Sequence, residues 1–196
     1  MKRVVVTGMS GFSPIGNDWS AIKTRLQNMQ TGIQRIDAWD KYTELNTRLG
    51  APVENFVMPA HYKRKDLRSM GRVAQLAVRS TELAFEDAGL LNDEILSSGE
   101  VGVAYGSSAG DTDAIADFGN MLLNHTSDGL NANSYIKMMA HTAPVNIGIY
   151  FGLRGRVLTT SSACTSGSQA IGYAYEAIKY GHQTIMVAGG CEALCA

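Results

Sequence analysis

Apolar and polar positions along the chain divide it into strands and helices in turn. Residues 4–6 are a β-branched run ending at Thr7-Gly8, the pattern of a buried strand entering a turn, and Met9 to Pro14 follow as irregular loop. Trp19, Ile22 and Leu26 recur at helical spacing and Gly32 follows as a stop, which predicts a helix over 18–29. A second helix is predicted over 71–88, with Val73, Leu76, Ala77, Ser80, Leu83 and Ala84 on one face and Gly89 terminating it. Residues 100–105 read as a short apolar strand leading into Gly106-Ser107-Ser108-Ala109-Gly110, whose small side chains suit a close backbone approach. Helical patterns return over 113–123 and 140–151, and Gly152-Leu153-Arg154-Gly155 closes the second as a turn. A strand over 157–160, a helix over 165–180 and a strand over 184–188 complete the series. Strands alternating with helices imply an α/β fold with a largely parallel sheet covered on both faces.

Composition narrows the setting. With 196 residues, 45% hydrophobic and 18% charged, the chain can build a core. Seventeen Lys plus Arg against eighteen Asp plus Glu leave a net charge of −1, so no global field draws the chain onto nucleic acid or an anionic bilayer. A charged partner must use a local patch. Three valines are too short for a signal segment or a membrane span, and the uncharged stretch 157–175 is rich in Ser, Thr and Gly, so no membrane span is expected. Three cysteines, two of them four apart, do not make a disulfide framework and suit a reducing compartment, which points to the cytoplasm. The chain ends on Gly189-Gly190-Cys191-Glu192-Ala193-Leu194-Cys195-Ala196 without a closing helix or polar tail, and so reads as cut or proteolysed.

Four features are candidates for chemistry. Thr7-Gly8-Met9-Ser10-Gly11-Phe12-Ser13-Pro14-Ile15-Gly16 invites a dinucleotide reading. Phe12 and Pro14 stand where the fingerprint needs glycine, and Pro14 removes an amide donor, so a structural turn is expected and no cofactor is assigned. Thr159-Thr160-Ser161-Ser162-Ala163-Cys164-Thr165-Ser166-Gly167-Ser168 is sharper: a strand breaks through small residues into a helix with a cysteine at the junction, the architecture of a nucleophile elbow. Helix N-terminal amides and the macrodipole favour a thiolate there, two such amides can face an oxyanion, and Ala163 and Gly167 keep the approach open. Cys191 and Cys195 with His182 fall short of a zinc ligand set, so no metal is expected, and His61, His125, His141 and His182 sit in no motif that ties them to Cys164. Finally, 61–72 holds Lys63, Arg64, Lys65, Arg68 and Arg72 against one acid. If helical, it places Arg64, Arg68 and Arg72 on one face, either a solvated surface or a docking patch for an acidic partner.

At the Cys164 segment the chain resembles the beta-ketoacyl-ACP synthases, the type II condensing enzymes with the thiolase-like fold. Residues 4–8 with Ser13-Pro14-Ile15-Gly16 look like the family's opening strand and loop, and Tyr105-Gly106-Ser107-Ser108-Ala109-Gly110 is similar to its glycine-rich loop beside the acyl pocket. Gly152-Leu153-Arg154-Gly155 with Thr160 to Gly167 resembles the nucleophile region, and Val187-Ala188-Gly189-Gly190-Cys191-Glu192 the strand end that follows.

The resemblance implies that residues 1–196 are an N-terminal thiolase-like domain, the N-terminal lobe of the fold, with a five-stranded mixed sheet and helices on both faces. It further implies that Cys164 takes an acyl group from acyl-ACP or acyl-CoA, with its amide as half of an oxyanion hole, and that malonyl-ACP then decarboxylates and attacks the thioester. The family's two decarboxylating histidines, a lysine and a Phe amide belong to a C-terminal half beyond this chain, so the segment alone is not expected to turn over. Ser108, Ala109 and Ala163 are implied to bind the acyl substrate, and the small Ala109 leaves room for a longer or stiffer acyl group. Lys63, Arg64, Lys65, Arg68 and Arg72 fall where the family docks its acidic acyl carrier protein. A homodimer or heterodimer mate is implied to add residues from around Tyr135 to Met139. The alternatives are a thiolase-like acyltransferase that needs only the cysteine, and a non-catalytic subunit akin to a chain-length factor, against which the retained Cys164 argues.

Overall fold

Local caps set the helix limits. α1 (Trp19–Gln27) starts where the Asp18 side chain accepts a hydrogen bond from the Ala21 amide at 2.9 Å. β1 (Gln34–Arg35) and β2 (Leu49–Gly50) form a short antiparallel pair. Then come α2 (Arg64–Leu67), α3 (Arg72–Asp87), β3 (Val101–Gly106), α4 (Thr112–Asn124), α5 (Ser134–Met138), α6 (Thr142–Phe151), β4 (Val157–Thr160), α7 (Ser166–Lys179) and β5 (Ile185–Gly190). Asp111 caps α4 through the Asp113 amide, and Gly152, left-handed at φ 67°, ends α6. The structure, a computed structural model, describes residues 1–194, which divide into two units: residues 10–57 with those after Glu192, and residues 1–9 with 58–192. No helix among the described residues is long and apolar enough to cross a membrane.

In the smaller unit, Phe12 meets Phe56 edge-on at 5.1 Å between ring centres, and Asp40 pairs with Arg35 and Arg48. The helical spacing of α1 is confirmed, but its apolar residues Trp19 and Leu26 stay exposed.

The larger unit is organised by β3, which is buried at every position and lies between β4 and β5 with all three strands parallel. A strand buried on both faces must satisfy a different neighbour on each. Val101 joins Phe85, Leu96 and Phe151, so one face of β3 packs on α3 and α6. Ala104, on the opposite face, meets Ala170 and Ala174 of α7 with Leu158 and Met186, and only small side chains let the helix lie that close. The α/β class and the helices on both faces are thus as expected.

Three expectations are corrected. The sheet of this unit has three parallel strands among the described residues, in the order β4-β3-β5, rather than five in a mixed arrangement. Residues 4–6 form no strand: Val5 and Val6 are exposed, the Lys2 amide bonds to the Lys179 carbonyl at the end of α7 (3.0 Å), and Gly8 sits against Ala84 and Ala88, so the run meets helix ends instead of a ladder partner. The basic stretch is not one helix, because α2 stops at Leu67 and α3 starts at Arg72. The buried Asn146 of α6 takes both the Ser69 hydroxyl (2.7 Å) and the Ser69 carbonyl (3.3 Å), and Gly71 is extended at φ −80°, ψ −176°. Arg64, Arg68 and Arg72 therefore share no single helical face.

The helix predicted over 71–88 is α3, but its burial spreads beyond the expected stripe to Thr81 and Glu82. Glu82 accepts from the Tyr62 hydroxyl (2.7 Å), contacts His61 Nε2 (2.8 Å) and pairs with Arg79, while the Tyr62 ring stacks on Tyr150 at 4.8 Å. Burial alone would raise the Glu82 pKa; the hydrogen bonds from Tyr62 and Arg79, with the Arg79 charge, outweigh it and hold the group below the usual carboxylate range. A carboxyl with a depressed folded pKa stabilises the fold above its unfolded pKa and loses that contribution as pH falls through the folded one. Glu82→Gln is therefore expected to cost about 2 kcal/mol at neutral pH. Denaturant titrations of both proteins across acidic pH should show the gap close as pH falls below the carboxylate range, and a gap that stays constant would contradict it.

Candidate active site

Parallel strands bring their carboxyl ends to one edge of the sheet, the edge at which open α/β folds place their sites. Here the register pairs Gly106 with both Thr160 and Gly190, so the chain leaving β3, β4 and β5 emerges together. The Ser107 amide bonds to the Thr160 carbonyl (3.1 Å) and the Cys191 amide to the Gly106 carbonyl (3.0 Å), which extends the ladder one residue past the strands. The N-terminus of α7 sits directly on this edge. A Cβ on Gly106 would lie 2.4 Å from the Ser166 backbone, and one on Gly190 would lie 2.8 Å from Gly167 Cα, so only glycines permit the approach.

Cys164 stands at that junction, two residues before α7, with an exposed side chain. The preceding Ala163 is left-handed at φ 52°, a conformation that costs a residue with a Cβ about 1 kcal/mol and turns the chain sharply from strand to helix. Buried hydroxyls surround the bend. Ser166 Oγ donates to the Ala163 carbonyl (2.7 Å) and accepts from the Ser162 amide (2.8 Å), and Thr160 Oγ1 donates to the Ser166 carbonyl (2.8 Å). Ser162 Oγ bonds to Gln169 Oε1 (2.7 Å) and meets Thr165 Oγ1 at 3.0 Å. The start of α7 places the positive end of a helix dipole by the thiol.

The glycine-rich loop is fixed beside this bend from the third strand. Glu192 accepts from Ser107 Oγ (2.6 Å) and from the Ser108 amide (3.1 Å), and Ser161 Oγ donates to the Ser108 carbonyl at 3.4 Å. The structure thus brings Ser108 and its neighbour Ala109 to the same strand-end edge as Ala163 and Cys164. The Gly110 amide bonds to the Met138 carbonyl (3.1 Å), so the segment around Tyr135 to Met139 lies against the end of this loop.

Other candidates lie elsewhere. Lys63, Arg64, Lys65, Arg68 and Arg72 are all exposed on and around α2 and the start of α3. His61 belongs to the Glu82 cluster, His141 lies 6.3 Å from Tyr135 between ring centres, and none of His61, His125, His141 and His182 bonds to Cys164 among the described residues. Cys191 points the opposite way chemically: burial, reinforced by the Glu192 charge, pushes its thiol up to about 12. Cys195 lies outside the described residues. Among those residues no cluster of three His, Cys, Asp or Glu could hold a metal. An open cavity of about 630 Å³ lined by His61, Glu82, Asn92, Asp93, Tyr150 and Phe151 shares no residue with the Cys164 cluster.

Two residues of the cluster stood in the sequence only as members of longer motifs, with no role of their own. Ser166 is an unremarked helix-start serine until its hydroxyl is seen to bracket Ala163, and Glu192 reaches Ser107 across 85 residues. Their signal in the sequence is position within those motifs, one just after the cysteine and one just after a Gly-Gly strand end.

Comparison with known proteins agrees with this arrangement. The sequence profile described as the N-terminal domain of beta-ketoacyl synthase matches residues 1–196. The chain is 34% identical to 3-oxoacyl-[acyl-carrier-protein] synthase 2 of Vibrio cholerae over 97% of its length, and 31% identical to the protein of that name in Staphylococcus aureus over 98%. It covers 46% of each, so it spans about half the length of these relatives. Among solved structures it superposes on a beta-ketoacyl synthase from Burkholderia phymatum with TM-score 0.97 and 49% identity, over 100% of this chain and 48% of that one. A ketosynthase solved in complex with a type II PKS acyl-carrier protein matches with TM-score 0.76 and 26% identity, over 97% of this chain and 51% of that one.

The two described cysteines should separate cleanly in reactivity. Iodoacetamide at neutral pH is expected to alkylate Cys164 at least about tenfold faster than Cys191 in the native protein. Peptide mapping by mass spectrometry reads both rates, and equal labelling would contradict the assignment.

Proposed function

Because the chain belongs to the beta-ketoacyl synthase family, matching its N-terminal domain, we propose that it is the nucleophile-bearing half of a 3-oxoacyl-ACP synthase. The observation that carries the reading is Cys164: exposed, preceded by a left-handed Ala163, and set at the start of α7 where three parallel strands end. In this reading the Cys164 thiolate attacks the carbonyl carbon of an acyl thioester. The new carbon–sulfur bond forms as the bond to the carrier sulfur breaks, the carrier thiolate takes up the proton that Cys164 released on ionising, and the transient oxyanion takes a hydrogen bond from the Cys164 amide. Malonyl-ACP then loses carbon dioxide, its carbanion attacks the acyl-Cys164 carbonyl, and the thiolate leaves as the carbon–carbon bond forms.

Acylation draws on groups present in this chain. Decarboxylation calls for proton-handling groups near the malonyl carboxylate, and among the described residues no histidine is bonded to Cys164, so full turnover is assigned to the longer protein, of which this segment would be one half. Ser108, held by Glu192, and the next residue Ala109 flank the acyl group together with Ala163, and the small Ala109 admits a longer or stiffer chain. The exposed Lys63, Arg64, Lys65, Arg68 and Arg72 form the docking surface for an acidic acyl carrier protein. A cytoplasmic dimer in fatty acid or related polyketide elongation is the setting that fits. The non-catalytic, chain-length-factor-like reading has no use for an exposed cysteine at a left-handed bend.

Cys164→Ala in the full-length protein is expected to abolish the acyl-enzyme, while Cys191→Ala leaves it. Intact-protein mass spectrometry after incubation with acyl-ACP should show one adduct on the peptide containing Ala163-Cys164-Thr165, and an adduct that survives Cys164→Ala sinks the assignment. Reversing Arg64, Lys65 and Arg68 to Glu is expected to slow acyl transfer from acyl-ACP about tenfold and leave transfer from acyl-CoA nearly unchanged. Equal losses with both donors would make the basic stretch only a solvated surface.

A further inference from the structure

We propose that Ser166 is the positioning residue of this site, its buried hydroxyl aiming the Cys164 backbone amide at the oxyanion formed during acyl transfer. The inference deepens the reading of Cys164 as the nucleophile and rests on it. Ser166 is 4% exposed, and its Oγ uses both of its capacities on the bend, donating to the Ala163 carbonyl at 2.7 Å and accepting from the Ser162 amide at 2.8 Å. The Ser166 amide adds a second bond to the same carbonyl at 3.1 Å. The Ala163 carbonyl and the Cys164 N–H belong to one peptide unit, which is planar and trans, so the two groups point in opposite directions. Drawing the carbonyl onto the start of α7 therefore turns the Cys164 N–H away from the helix start, on the residue whose thiol is exposed.

Close packing prevents Ser166 from moving to suit the bend: its backbone is pressed against Gly106 so closely that a Cβ there would overlap it. The left-handed Ala163 would relax toward ordinary backbone if the hydroxyl were removed, because its conformation is unfavourable for a residue with a Cβ. Relaxation rotates the 163–164 peptide and carries the amide off target, while the thiol keeps its exposure and its place before α7.

That separation supplies the test. Acyl transfer develops an oxyanion and needs the amide, whereas alkylation by iodoacetamide displaces iodide at an sp³ carbon and needs only the thiol. In the full-length protein, Ser166→Ala is expected to lower the acylation rate of Cys164 by acyl-CoA about tenfold to a hundredfold at unchanged KM, and to change the alkylation rate less than about twofold. Ser166→Thr, which restores the hydroxyl, should keep the acylation-to-alkylation ratio within about threefold of the parent. Thr160→Val, which removes a neighbouring bond from the same cluster but leaves the Ser166 hydroxyl, should lower the melting temperature without moving that ratio. If Ser166→Ala does not fold, Ser166→Thr and Thr160→Val still decide, because a ratio that falls in either overturns the proposal. Parallel losses of acylation and alkylation in Ser166→Ala would reduce Ser166 to a packing residue, and an unchanged ratio would equally overturn it. Acylation that persists in Cys164→Ala is a different outcome, the failure of the nucleophile assignment itself.

Discussion

Everything at the candidate site depends on how closely α7 can approach the ends of the sheet. A helix lying on a sheet normally stands off by the thickness of two layers of side chains. Here the separation collapses at one end, where Gly106 faces the Ser166 backbone and Gly190 faces Gly167, and it stays small along β3 because Ala104 meets Ala170 and Ala174. The helix start is thereby wedged among three strand ends, and the chain joining β4 to α7 has five residues in which to reverse, 161–165. A left-handed residue is the economical way to make that turn, which places Ala163 immediately before the cysteine.

Such close approach would strand backbone polar groups if side chains did not reach them, and a buried orphan costs more than a hydrogen bond gains. The serines and threonines of this stretch satisfy that demand. Thr160, Ser162, Thr165 and Ser166 each bond a backbone or side-chain group within the bend, and among the described residues no buried side-chain nitrogen or oxygen lacks a partner. Glu192 performs the same service for the loop after β3, where the Ser108 amide would otherwise have no strand to pair with. The run of small polar residues is therefore a packing solution and a chemical one at once, since the hydroxyls that satisfy the bend also fix which way its peptide groups point.

Much of this was legible in the sequence because it is local. The helix starts at Asp18 and Gly71, the strand over 157–160 and the helix after Cys164 follow from caps, glycines and periodicity within a few residues. What was misread depends on distant partners. Residues 4–6 have strand composition but meet helix ends, so composition without a ladder partner makes no strand. The basic face of 61–72 fails because Asn146, more than seventy residues later, takes the carbonyl and hydroxyl of Ser69. The five-stranded sheet was drawn from a likeness to whole enzymes, and three strands are what the described residues build. Ser166 and Glu192 escaped notice for the same reason: their roles exist only once three strand ends are brought together.

The contrast between the two described cysteines shows that place on the sheet edge is not enough for reactivity. Cys164 and Cys191 both follow parallel strands that flank β3, Cys164 two residues before α7 and Cys191 one residue after Gly190, which faces Gly167 in the first turn of α7. Their chains leave the edge differently. Cys191 simply prolongs β5, its amide still bonded to Gly106, and burial, reinforced by the Glu192 carboxylate, opposes a thiolate there. Cys164 comes after the left-handed break, which lifts its side chain out of the pleat into solvent at the positive end of a helix. One residue's backbone conformation therefore separates an inert thiol from an available one, and the hydroxyl that holds that conformation belongs to the site as much as the sulfur does.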